Sequence, residues 1–260
     1  MLVLLCVVLG LAVGSFLNVV VWRVPRGESV VSPPSHCPGC DHPVRPRDNV
    51  PVVSWLLLRG RCRDCGTTIA VRYPLVEAGT GLLFGLAAWW LGPAWVLPTV
   101  LYLAAISVAL ALIDLDHRRL PDAIVLPSYP VVLALLALAS WNPGGAPDWS
   151  ALLRAVVGGA VMYAFYFVLC FVHPRGMGFG DVKLAGVLGM VLGWFGIAEL
   201  VVGWFGAFLL GGLWGLGLMA ARRAGRKTEV PFGPWMLLGA LLALPLGEPL
   251  ARAYLAAAGL

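Results

Sequence analysis

Val182 to Ala221 reads VKLAGVLGMVLGWFGIAELVVGWFGAFLLGGLWGLGLMAA, 40 residues in which Lys183 and Glu199 are the only charges. About 20 apolar residues are enough to cross a bilayer. The simplest division is therefore two membrane helices with a turn near Gly196. Working outward, comparable apolar runs fall near 1–22, 74–92, 94–113, 123–141, 151–172 and 233–257. With 182–197 and 198–221 these make eight. The expected fold class is an all-α polytopic membrane protein of about eight transmembrane helices. Composition agrees: 60% of the residues are hydrophobic and 12% charged, where soluble domains carry about a quarter charged. The run 1–22 has no Lys or Arg ahead of it and ends without a small-x-small cleavage site. It is read as a retained helix, not a signal peptide.

Charge gives an orientation. Segment 23–73 carries eight Arg, the 114–122 loop two, the 173–183 stretch Arg175 and Lys183, and the 222–229 loop four. Together these are sixteen of the 18 Lys and Arg, leaving only Arg154 and Arg252 elsewhere. With eight spans all four segments fall on one face, which the positive-inside rule makes cytoplasmic, with both termini outside. The net charge of +5 is thus read as orientation at the membrane lipid, and no nucleic-acid partner is expected. Three regions follow: a first helix at 1–22, a cytoplasmic segment at 23–73, and a helical membrane domain at 74–260. No internal repeat is visible.

Segment 23–73 is rich in Pro, Gly and Arg and too poor in apolar residues for a core of its own. A piece of about 50 residues usually needs a metal or disulfides. Cys37-x2-Cys40 and Cys62-x2-Cys65, with 21 residues between the pairs, are spaced as in a zinc ribbon. Four thiolates suit tetrahedral Zn²⁺ in a closed structural site, and a cytoplasmic location disfavours disulfides. A pair of redox dithiols is the competing reading. His36 and His42 are read as bystanders, and Cys6 and Cys170 as small apolar fillers.

Met177-Gly178-Phe179-Gly180-Asp181-Val182-Lys183 puts an aspartate at a membrane edge between glycines. Ionisable groups there are costly and are functional candidates by default. Its candidate partner is in Asp114-Leu115-Asp116-His117-Arg118-Arg119-Leu120-Pro121-Asp122, on the same face by the charge count. Asp114 is the deepest of the three carboxylates, although pairing with Arg118 or Arg119 would also account for it. Asp116 and Asp122 fit a solvated loop or, for Asp122, the cap of the helix that follows. Two carboxylates brought together share a proton, so one can act as base on a water while the other polarises a scissile carbonyl. The pair titrates as a unit. Gly178 and Gly180 are expected to leave room for an extended substrate backbone beside Asp181. Lys183 is open between tuning the pair and anchoring at headgroups. Val230-Pro231-Phe232-Gly233-Pro234 reads as a helix-start turn. No His-Glu-x-x-His occurs, which disfavours a zinc protease.

These motifs, in this order, resemble the type IV prepilin peptidases, the bifunctional leader peptidase and N-methyltransferase family. The resemblance includes Gly14-Ser15-Phe16-Leu17-Asn18-Val19-Val20, both cysteine pairs with Asp48-Asn49-Val50-Pro51 and Ser54-Trp55 between them, and Arg72-Tyr73-Pro74-Leu75-Val76-Glu77. It continues through Asp114, Leu120-Pro121-Asp122, Gly178 to Lys183, and Pro231-Phe232-Gly233-Pro234. It implies a protein of the bacterial inner membrane that cleaves type IV prepilins, and pseudopilins of type II secretion, after a Gly that follows a short basic leader. The cut is on the cytoplasmic side and the catalytic aspartates are Asp114 and Asp181. It also implies N-methylation of the new terminus with S-adenosylmethionine, an activity associated with the cytoplasmic N-terminal part; no residue pattern in 23–73 identifies that donor's pocket. A basic leader beside a basic face needs a local attraction, expected from Asp114, Asp116, Asp122 and Asp181. The alternative from another class is a proton- or cation-coupled transporter. It is disfavoured because no repeat is visible and the aspartates sit at helix ends.

Overall fold

The computed structural model describes residues 1–173, 177–221 and 231–259. Arg175, Arg222, Arg223, Arg226, Lys227 and Val230 of the reading above lie outside these. All eight expected apolar runs are helices. Three precede the midpoint: α1 (Leu2–Arg23), α3 (Arg72–Leu91) and α4 (Leu97–His117), with a short α2 (Val53–Leu57) between the first two. Then follow α5 (Asp122–Trp141), α6 (Trp149–Val172), α7 (Phe179–Phe195), α8 (Ile197–Ala220) and α9 (Gly233–Ala257). Seven are long and apolar enough to cross a membrane. The eighth, α7, is the shortest at 17 residues, at the lower limit of a spanning helix. The turn between α7 and α8 falls at Gly196, as expected. A Cβ there would stand 2.5 Å from Glu199 Oε2, so the Glu199 carboxylate lies over the turn.

The chain forms two compact units, Met1–Ala109 and Leu110–Leu260. In the first, α1 lies against α3 through small residues. A Cβ on Gly10 would stand 2.8 Å from Gly81 Cα, and one on Gly14 2.7 Å from Glu77 Cα. Lipid tails offer no hydrophobic drive for helix pairing, so such close backbone approach supplies the contact. Asn18 Nδ2 of α1 donates to Tyr73 O at 3.3 Å. Glu77, buried in α3, accepts the Val52 N–H at 2.7 Å. Val52 is β-branched yet has a φ of +62°, a conformation that costs about 1–3 kcal/mol. The Glu77 carboxylate fastens the peptide group at which that strain is held.

In the second unit α7 is the centre, with every residue from Leu184 to Gly193 buried. Glycines on both helices set its distance to α6: a Cβ on Gly158 would stand 2.7 Å from Gly189 O, and one on Gly193 2.7 Å from Arg154 O. Gly186 of α7 leaves room for the Tyr129 hydroxyl of α5, which donates to Lys183 O at 2.6 Å. An aromatic cluster ties α6 to α8 and to the start of α9. Phe165 meets Trp204 edge-on at 4.4 Å, Tyr166 stacks on Phe208 at 5.7 Å, and Phe208 meets Phe232 at 5.2 Å.

Candidate active site

The cysteine segment is built as two matching turns. Cys37 N–H donates to His42 O at 2.9 Å and Cys62 N–H to Thr67 O at 2.8 Å. Asp41 N–H returns to Cys37 O and Gly66 N–H to Cys62 O. The residue after the second cysteine of each pair is left-handed, Asp41 at +60° and Gly66 at +73°. The segment therefore does contain a repeat, one carried by backbone geometry and hidden by its different residues. Two ion pairs cross between the turns, Arg45 to Asp64 at 2.8 Å and Arg63 to Asp48 at 2.6 Å. The Arg63 guanidinium hydrogen-bonded to Asp48 holds that carboxyl below the usual carboxylate range.

The four sulfurs lie within 4.8 Å of one another, with Cys37 to Cys65 at 3.7 Å and Cys40 to Cys62 at 4.0 Å. A tetrahedron with metal–sulfur bonds of about 2.3 Å has sulfur–sulfur edges of roughly 3.8 Å. The group is therefore dimensioned for one metal ion, and none of these cysteines is in a disulfide. His36 takes no part in it and faces Asp41 at 3.7 Å. Cys65 has its Sγ 3.2 Å from Thr67 Oγ1, and bonding from the Thr67 hydroxyl and amide brings its thiol down to about 6.

The second constellation is in the Leu110–Leu260 unit. Asp114 lies in the last turn of α4 and Asp181 in the first turn of α7. They are 6% and 8% exposed, and the charge of Asp114 reaches Asp181. Asp181 Oδ2 accepts the Gly178 N–H at 3.2 Å, one half of a capping box. Asp114 Oδ2 is buried with no hydrogen-bond partner. The expected alternative, an interfacial pair with Arg118 or Arg119, leaves this oxygen unexplained. Buried polar atoms are nearly always bonded, and an exception calls for a reason such as catalysis or a bound water.

Contacts between elements decide what the flanking residues do. Gly180 does not face open space: a Cβ on it would stand 3.0 Å from Leu120 Cβ. The missing side chain makes room for the α4–α5 turn. Asp122 does not cap α5; no side-chain cap bond forms there. Its carboxylate binds Lys183 Nζ at 2.7 and 2.8 Å. Lys183 is thereby paired with Asp122. Asp116 is exposed on the last turn of α4. Phe232-Gly233-Pro234 does more than start a helix. A Cβ on Gly233 would stand 2.7 Å from Asp114 Oδ2 and 3.3 Å from Leu120 Cδ2.

Tyr166 of α6 escaped the sequence reading. It is wholly buried, its hydroxyl has no partner, and it feels the charge of Asp181. Nothing distinguishes it in the apolar run Val161 to Val172, since a helical tyrosine is ordinarily packing.

Comparison with known proteins bears on both constellations. The sequence pattern described as Bacterial Peptidase A24 N-terminal domain matches residues 8–91. The one described as Type IV leader peptidase family matches residues 101–216. The chain is 35% identical to a prepilin leader peptidase/N-methyltransferase of Stutzerimonas stutzeri, over 97% of this chain and 93% of that protein. It is 37% identical to one of Pseudomonas aeruginosa, over 99% and 94%, and 38% identical to one of Neisseria gonorrhoeae, over 96% and 92%. No solved structure matches it.

Proposed function

The chain belongs to the type IV leader peptidase family, and on that premise we propose how its residues divide the work. It is a multi-pass membrane protein that cleaves prepilin leaders and methylates the product. We assign the hydrolysis to Asp114 and Asp181. One carboxylate, ionised, takes a proton from a water as the water oxygen bonds to the scissile carbonyl carbon. The other, protonated, gives its proton to the carbonyl oxygen. The tetrahedral diol then expels the amine, which takes the proton now held by the first carboxyl as the C–N bond breaks, while a hydroxyl returns its proton to the second carboxylate and the carbonyl re-forms. Like charges in mutual reach cannot both ionise cheaply, so the resting pair holds one proton.

The observation that carries this assignment is the orphaned, buried Asp114 Oδ2. A carboxylate near a helix C-terminus is disfavoured by the helix dipole, and what this one is offered in return is the backbone N–H of Gly233 alongside it, which leaves Oδ2 short of a full hydrogen bond. The test is cleavage of a prepilin by purified Asp114→Asn and Asp181→Asn. Each is expected to fall by at least about 10³-fold, as for loss of an acid–base group. A wild-type rate in either overturns the assignment.

The scissile bond follows a Gly behind a short basic leader, in prepilins and in pseudopilins of type II secretion. Cleavage faces the cytoplasm and both termini lie outside, from the distribution of Lys and Arg. The four cysteines hold one structural Zn²⁺, which would close segment 23–73 around it. Zinc analysis of Cys37→Ser and Cys62→Ser decides this, and unchanged metal content counts against it. The methyltransferase in the relatives' name implies S-adenosylmethionine as donor. Among the described residues no strand leads through a Gly-rich turn into a helix, so that common cradle does not fit here, and methyl transfer is assigned to no residue.

A further inference from the structure

Leu120 occupies the turn between α4 and α5 and touches the backbone beside both aspartates. A Cβ on Gly180, one residue before Asp181, would stand 3.0 Å from Leu120 Cβ and 3.5 Å from its Cδ1. A Cβ on Gly233 would stand 3.3 Å from Leu120 Cδ2 and 2.7 Å from Asp114 Oδ2. One half-buried apolar side chain thus fills the gap between the start of α7 and the start of α9. The turn that carries it is held on both sides. Arg118 is left-handed at +52° and its N–H donates to Asp114 O at 2.8 Å. Asp122 is fixed to Lys183 through both carboxylate oxygens.

We propose that Leu120 is a specificity-determining residue of the peptidase site: it fills the space that a side chain next to the scissile carbonyl would need, so that a glycine is accepted there. The proposal rests on the assignment of Asp114 and Asp181 as the hydrolytic pair. A carbonyl that reacts at Asp114 must come within about 3 Å of its carboxyl, directly or through one water. The buried oxygen Oδ2 is bordered by Gly233 on one side, and the same point on Gly233 is bordered by the Leu120 δ-methyl. A residue that reaches Oδ2 along the Gly233 side lies against Leu120. A glycine adds no atom to that contact. An alanine adds one methyl, and a valine adds two branches that must share the volume of the leucine. The turn cannot swing aside without breaking the Asp122–Lys183 pair or unwinding the end of α4.

The test uses the full-length enzyme in detergent with a prepilin bearing Gly, Ala or Val immediately before the scissile bond. Wild type is expected to cleave Gly fastest and Val slowest. Leu120→Ala is expected to raise the Val-to-Gly rate ratio by about 10-fold or more, the scale of hydrophobic side-chain discrimination in a pocket, with a smaller change on the Gly substrate. An unchanged ratio with Gly still cleaved overturns the role of Leu120 and leaves the aspartyl assignment intact. That assignment fails separately, if Asp114→Asn retains activity. If Leu120→Ala cleaves nothing, Leu120→Val and Leu120→Met are read with the same three substrates. A Val-to-Gly ratio that follows the size and shape of the residue at 120 supports the proposal. Inactivity of all three overturns it in favour of a purely structural leucine.

Discussion

At the scale of single residues, Asp114 sits where the carbonyl end of α4 disfavours a negative charge, by about 0.3–1 kcal/mol at an exposed site. Its neighbour across the site is Gly233, whose missing side chain is the space beside Oδ2. Gly233→Ala is expected to lower prepilin cleavage by roughly 10²-fold, the effect of an ångström-scale displacement of a reacting group. Membrane insertion and yield should change little, and activity near wild type would show that the site has slack. Lys183 gives a contrasting case. Its Asp122 partner is 56% exposed, and such pairs contribute about 0–1 kcal/mol. Lys183→Met should therefore leave the thermal midpoint of the detergent-solubilised protein nearly unchanged, as should Lys183→Arg, which keeps the pair. A large drop in the midpoint of Lys183→Met that Lys183→Arg does not share would show that the pair contributes more than such exposed pairs do. Asp114 and Asp181 were legible in the sequence because a lone carboxylate in an apolar run needs an explanation. Gly233, Leu120 and Tyr166 were not, because glycine, leucine and tyrosine in such runs are ordinary packing until a neighbour is placed against them.

At the scale of elements, the α6–α7 pair depends on glycines meeting glycines. A Cβ on Gly189 would stand 3.0 Å from Gly159 Cα, so Gly189→Ala must push the helices apart. Overpacking of this kind costs about 1–3 kcal/mol, which a lowered thermal midpoint of the detergent-solubilised protein would register. The cysteine segment follows a different logic. Its two turns carry almost no apolar interior, so closure depends on the four thiols and on the ion pairs that cross between the turns. Cys62→Ser is expected to make residues 23–73 readily cleaved by a soluble protease, whereas an unchanged digestion pattern would show the segment holds itself. The Asp48–Arg63 pair adds a pH dependence. A carboxyl whose folded pKa lies below its unfolded value of about 4 stabilises the fold above that value, and loses the contribution as pH falls through its lowered pKa. Asp48→Asn should flatten this acid-side decline in protease resistance.

At the scale of the whole molecule, the arrangement in the bilayer follows from the number of spans, and α7 decides it. At 17 residues it rises about 26 Å, a little under a hydrocarbon core of about 30 Å. If it crosses, a cysteine probe at Asp116 is labelled from the cytoplasm and probes at Gly145 and Ala258 from outside. Labelling of Ala258 from the cytoplasm would mean that α7 does not count as a span. The eight helices, the turn at Gly196, the cysteine cluster and the two aspartates were determined by the sequence alone. Each rests on local information: the length of an apolar run, the spacing of ligands, or the cost of a charge in lipid. The repeat within the cysteine segment, the pairing of Asp122 with Lys183, and the packing of Leu120 between Gly180 and Gly233 were decided only by the tertiary structure. These contacts join residues about 60 to 110 positions apart in some cases and rest on backbone angles in others. A linear pattern of residue types records neither the distance between helices nor the sign of φ.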